Sequence, residues 1–136
     1  MSASIIIAAS AALISAGSVC PSNNFADFAI AFTNSVDIQR LWTKDSVKIV
    51  HRSFAETSSD EDPDVEEIVS MTESKTLSFP LLPTFRELTS TMHSSVRIGS
   101  ERITRHMGEG AWTRSYVFDK TSDGCWMLSS IEEDSF

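Results

Sequence analysis

Apolar and polar positions recur along this chain with two different periods, one helical and one of strands. After Asn23-Asn24, which offers a helix cap, Phe25, Phe28, Ala29 and Phe32 follow at i, i+3, i+4 and i+7, stacking on one helical face. That spacing predicts a helix ending near Asn34. A second short helix is expected over Val36 to Trp42, with Ile38, Leu41 and Trp42 inward. Ser46 to His51 then alternates polar and apolar, as a half-buried strand does.

Further along, Ile68-Val69-Ser70-Met71 and Thr76-Leu77-Ser78-Phe79 read as two strands, the second ended by Pro80. Pro83, followed by Phe85 and Leu88 on one face, predicts a helix over Thr84 to Met92. Ser95 to Ile103 alternates as a strand, Gly108 and Gly110 mark a turn, and Ala111 to Phe118 forms another strand. Thr121-Ser122-Asp123-Gly124 supplies hairpin chemistry, because glycine accepts positive φ at little cost, and Cys125 to Ile131 is the last strand. No internal repeat or linker interrupts the pattern. The simplest architecture is α+β, with N-terminal helices packed on one face of a curved antiparallel sheet.

The first 18 residues stand apart. No charged side chain occurs before Asp27, and Ile5 to Ile14 forms an apolar stretch of signal-peptide length, too short for a comfortable membrane span. Ala16-Gly17-Ser18 places small residues where a signal peptidase reads them if it cuts after Ser18. The expectation is therefore a leader over 1–18, a single domain over 19–136, a periplasmic or secreted location, and no stable membrane span in the mature chain. Cys20 also admits a lipoprotein reading, although Gly17 and Val19 replace the residues usual ahead of a lipidated cysteine. The chain has two cysteines, Cys20 and Cys125. They either bridge in an oxidising compartment or leave Cys125 as a small buried hydrophobe, and the residues favour the latter.

Charge narrows the partners. The chain carries a formal net charge of -8, which repels phosphate backbones and argues against nucleic acid. Seven acids fall between Glu56 and Glu67 with no base among them, a pattern that reads as a solvated loop. Closely spaced carboxylates also suit calcium, but this segment lacks the glycine and spacing of an EF-hand loop. No CxxC pair, H-x-x-x-H pair, glycine-rich phosphate loop or G-x-S-x-G elbow occurs, so no metal or other cofactor is implied.

Tyr116 to Lys120, a turn with Asp123-Gly124, and Trp126 to Glu133 together resemble the terminal hairpin of the cone-shaped nuclear transport factor two-like superfamily. Phe25-Ala26-Asp27-Phe28 with Phe32, then Asp37-Ile38-Gln39, is similar to the opening helices of a domain-of-unknown-function family of secreted bacterial proteins within it, as is Phe79-Pro80-Leu81. The resemblance implies a cystatin-like cone roll, a bent sheet wrapping helices around a conical pocket, and homodimers are frequent for that architecture. It implies no particular reaction. Members with activity use an Asp, His or Tyr inside the cone, for which the candidates here are His51, His93, His106, Tyr116 and Asp37.

Trp112, Arg114, Tyr116 and Phe118 share one parity of their strand. With His51, the first three are the candidate ligand-binding residues. Trp126 and Leu128 extend the wall, and Arg114 or Arg97 would meet an anionic group. The plainer reading makes the aromatics core and leaves Arg114 at a rim. Two functions follow: a non-catalytic module binding a small ligand or a protein, or a small lyase or isomerase using general acid/base chemistry. A pocket holding an ionisable residue with a hydrogen-bonded orienting partner favours the enzyme; an apolar or filled interior favours binding.

Overall fold

The computed structural model describes residues 19–55, 64–90, 94–107 and 112–135. The predicted leader, residues 56–63 of the acidic segment, His93 and the Gly108–Gly110 turn lie outside them, whereas Asp64, Glu66 and Glu67 of that segment pair in a strand and not in the expected loop. The element order is α1 (Phe25–Asn34), α2 (Val36–Leu41), β1 (Thr43–Ala55), β2 (Asp64–Glu73), a 3-10 turn (Ser74–Thr76), α3 (Phe85–Ser90), β3 (Ser94–Gly99), β4 (Arg102–Met107), β5 (Trp112–Lys120) and β6 (Trp126–Ser135). Three short helices and one six-stranded sheet make an α+β fold. Among the described residues no helix is long and apolar enough to cross a membrane.

The helices begin where side chains satisfy their first amides. Asn24 Oδ1 accepts from the Asp27 amide at 3.1 Å, and Ser35 Oγ from the Ile38 amide at 3.2 Å. Thr84 and Glu87 form a reciprocal box, with the Glu87 amide donating to Thr84 Oγ1 and the Thr84 amide to Glu87 Oε1. The Thr84 amide, and after it the Thr84 hydroxyl, donate to the Glu87 carboxyl and hold it below its ordinary value. The predicted face of α1 is buried at Phe28, Ala29 and Phe32, and the Phe118 ring packs within 5.7 Å and 5.0 Å of the two Phe centroids. In α2 the expected inward Leu41 is instead exposed, and Gln39 is fully buried. Its amide explains why: Oε1 accepts from the Leu81 amide and Nε2 donates to the Leu82 carbonyl, stitching α2 to the loop before α3.

The strand order is β2-β1-β6-β5-β4-β3. Every pairing is antiparallel except β1 with β6, so the sheet is mixed, not wholly antiparallel as the sequence pattern suggested. Hydrophobic alternation fixes which face a residue takes but is silent on strand order and direction. Two irregularities re-phase the sheet, one in β1 between Thr43 and Lys48 and one where Ser129 bulges opposite the Val117–Phe118 step. The second lets Leu128 and Ile131, three residues apart, both enter the core.

Two strand expectations are corrected. Thr76 to Phe79 is a 3-10 turn and loop, closed by the Leu77 amide on the Ser74 carbonyl and the Thr76 hydroxyl on the Glu73 carbonyl. Its alternation is met without pairing, since Leu77 packs on the core and Phe79 lies beneath Arg40. Ser95 to Ile103 is two strands joined at Ser100-Glu101, with Glu101 at φ 58. By contrast, the Thr121–Cys125 turn is as expected, with Gly124 at φ 89.

Cys125 is buried, as expected, but is not a free thiol: it is bridged to Cys20, with Cα atoms 5.7 Å apart. The bond fastens the chain entering α1 to the start of β6. At the other side of the sheet, edge strand β2 exposes Val65, Val69 and Met71 on one face and Ile68 on the other.

Candidate functional site

Register alone builds the site. The helix-bearing face carries successive ranks of side chains running across the strands. The deepest pairs Leu128 with Phe118, and the next holds Ile49, Ile131, Tyr116, Ile103 and Ile98. Both are core. The third rank turns polar: His51 on β1 opposes Glu133 on β6, Glu133 opposes Arg114 on β5, and Arg114 opposes Arg105 on β4. The fourth, at the end of the sheet, holds Ser53, Ser135, Trp112 and Met107.

In the third rank, His51 Nδ1 lies 3.0 Å from Glu133 Oε1, and the Arg114 guanidinium donates to Glu133 Oε2. One carboxylate thus serves a histidine and an arginine on opposite sides. Arg114 Cζ also sits 5.2 Å from the centre of the Trp112 ring, a cation–π contact that fixes the indole against the rank. Burial alone would lower the Arg114 pKa, but the Tyr116 hydroxyl and the Glu133 carboxylate outweigh it and raise the value. His51, Arg52, Ser53, Trp112, Arg114, Glu133, Asp134 and Ser135 line a cleft of about 240 Å³.

Three of the four candidate residues, His51, Trp112 and Arg114, meet at this cleft. Tyr116 does not line it. Its ring is core, 1% exposed, and its hydroxyl donates to the Leu81 carbonyl at 3.1 Å. Burial raises the Tyr116 pKa, while Arg114 and Arg105 partly offset that rise. Phe118, Trp126 and Leu128 are likewise core under α1, and Arg114 marks where that core meets the rim.

The remaining candidates scatter. Asp37 is exposed in the first turn of α2, and His106 is half-buried on the opposite face, paired in register with Thr113. Arg97 is exposed on that opposite face too, since it aligns with Thr104 and not with Arg105. The turn at Ser100-Glu101 separates the two strands that the sequence reading joined, so their facing could not be carried through as one alternation. Arg105 is the second arginine of the helix-bearing face, and its i, i+2 spacing from the buried Ile103 on the same strand is the signal that could have found it.

The opposite face has its own charge cluster. Arg52 contacts Glu67, Glu132 and Asp134, and Arg102 contacts Glu132. These contacts, led by the Glu67 hydrogen bond, raise the Arg52 pKa further. Among the described residues no group of three His, Cys, Asp or Glu is placed to hold a metal ion. No protein-family model, curated protein or solved structure matches the chain.

Proposed function

We propose that this protein is an exported, non-catalytic module that binds a small ligand at the rim of its helix-bearing face. The observation carrying the reading is the meeting of Trp112 and Arg114 with His51 and Glu133 at one cleft, just beyond a filled aromatic core. An apolar platform beside a few convergent polar groups is what a small-ligand site requires. The interior beneath α1 is closed by Phe28, Phe32, Tyr116 and Phe118, so the ligand seats at the rim.

The cone-roll reading and the nuclear transport factor two-like resemblance belong to this proposal. They are supported by helices on one face, the consecutive hairpins β3 to β6, and bulges of the kind that bend strands. Export is supported by the apolar leader in the sequence, and the Cys20–Cys125 bridge is compatible with an oxidising compartment.

A second reading rests on His51 and Glu133. An imidazole oriented by a carboxylate 3.0 Å away, at the edge of a cleft, is the geometry of a general base. The His51 side chain is 56% exposed, however, so the pair stands open to water and not in an enclosed catalytic interior. Binding is therefore the preferred function.

A fragment screen followed by amide chemical shifts separates the two. The binding reading expects hits to perturb Trp112, Arg114 and Glu133 and to be recovered chemically unchanged after long incubation. A hit that is transformed, with turnover lost in His51→Ala, would establish the enzyme instead; perturbations confined to the opposite face would refute both.

A further inference from the structure

Arg105 and Arg114 stand directly opposite one another on β4 and β5. Like charges in that relation repel, and a sheet does not place them so without compensation. Arg114 has Glu133. Arg105 has no carboxylate partner among the described residues, and it differs from the other unpaired cations there: Arg40, Lys48, Arg86, Arg97 and Lys120 are all exposed, whereas Arg105 is half-buried. The Nε atoms of both Arg105 and Arg114 are buried without a hydrogen-bond partner among the described residues. Their desolvation adds to the cost of the two opposed charges, which an anion meeting the outer guanidinium nitrogens would offset.

Resting on the binding reading above, we infer that the ligand is a small apolar monocarboxylate whose carboxylate bridges Arg114, which lines the cleft, and Arg105, which stands opposite it on the next strand just beyond the cleft lining. The charge count selects this class. Two guanidiniums and the Glu133 carboxylate leave one unmatched positive charge, which suits a monoanion better than a phosphate dianion. The planar forks of arginine suit a carboxylate with two oxygens. Trp112 and Met107, opposed in the next rank outward and both half-buried, provide the surface for the apolar body.

The test compares three probes sharing one ring system, 2-naphthoate, 2-naphthamide and 2-naphthyl phosphate, titrated into the full protein by calorimetry. Wild type binds the carboxylate roughly tenfold or more above the neutral amide, the margin of a charge-assisted hydrogen bond, and above the phosphate. Arg105→Gln abolishes that preference, Arg105→Lys keeps part of it by retaining charge without the fork, and Arg97→Gln on the opposite face leaves it intact. Equal affinity for acid and amide, tighter binding of the phosphate, or an unchanged preference in both Arg105 variants overturns the inference while leaving the binding reading standing. Failure of wild type to bind any of the three overturns both.

Discussion

Glu133 lies across the β5–β6 register from Arg114 and accepts its guanidinium, while its other oxygen is held 3.0 Å from His51. This carboxylate is the counter-charge of the polar rank. Replacing it with Gln leaves two opposed guanidiniums and should destabilise the fold by about 1–3 kcal/mol, the cost of a lost charged hydrogen bond. Urea denaturation measures it, and adding Arg114→Met should recover part of the loss, because the orphaned charge is then removed.

Tyr116 is the only tyrosine in the chain, so its titration reads one phenol. Burial raises its pKa, with Arg114 and Arg105 acting in the other direction. The near-ultraviolet phenolate signal should therefore have its midpoint above about 10, the unfolded value. For a raised pKa the stabilising contribution is fully present below the unfolded value and is lost as pH climbs through the folded one. Stability should fall on the alkaline side, and Tyr116→Phe should flatten that limb. A midpoint at or below the unfolded value in folded protein would mean that burial does not dominate the phenol, contrary to this reading.

The Cys20–Cys125 bridge spans 105 residues of sequence. On the chain-entropy account a loop of that size contributes about 4–5 kcal/mol, and removing native bridges costs about 2–5 kcal/mol. Replacing both cysteines by alanine should lower the denaturation midpoint accordingly, and a reducing agent should do the same to wild type. A double variant as stable as wild type, insensitive to reductant, would mean that the bridge does not form.

Two turns should respond in opposite directions. Gly124, at φ 89, suffers on substitution by alanine, which should cost about 1 kcal/mol or more. Glu101, at φ 58, is a side-chain-bearing residue in left-handed backbone, a conformation costing about 1–2 kcal/mol. Glu101→Gly should therefore stabilise, and thermal melts of the two variants decide it.

Much of the fold was legible because it is periodic: the aromatic face of α1, the alternation of β5 and the Thr121–Gly124 turn all announce themselves in the sequence. Three features were not. Glu132 to Ser135 extend β6 although acids disfavour strands, because His51 and Arg52 on β1, Arg114 on β5 and, one strand further, Arg102 on β4 meet them. The Ser100-Glu101 turn carries neither glycine nor asparagine at its positive φ, so β3 and β4 read as one strand, which offers Arg97 and passes over Arg105. The parallel pairing of β1 with β6 has no local signature at all. It is this pairing that brings His51 to Glu133, and hence the site together.

His51, Glu133, Arg114 and Arg105 occupy one rank of one face, and interstrand nuclear Overhauser contacts test that arrangement most directly. The register predicts backbone contacts tying His51 to Glu133 in a parallel ladder, Glu133 to Arg114, and Arg114 to Arg105 in antiparallel ones. A one-residue slip of β1 against β6 would send His51 to the opposite face, and antiparallel contacts between them would undo its pairing with Glu133; either result would contradict this arrangement.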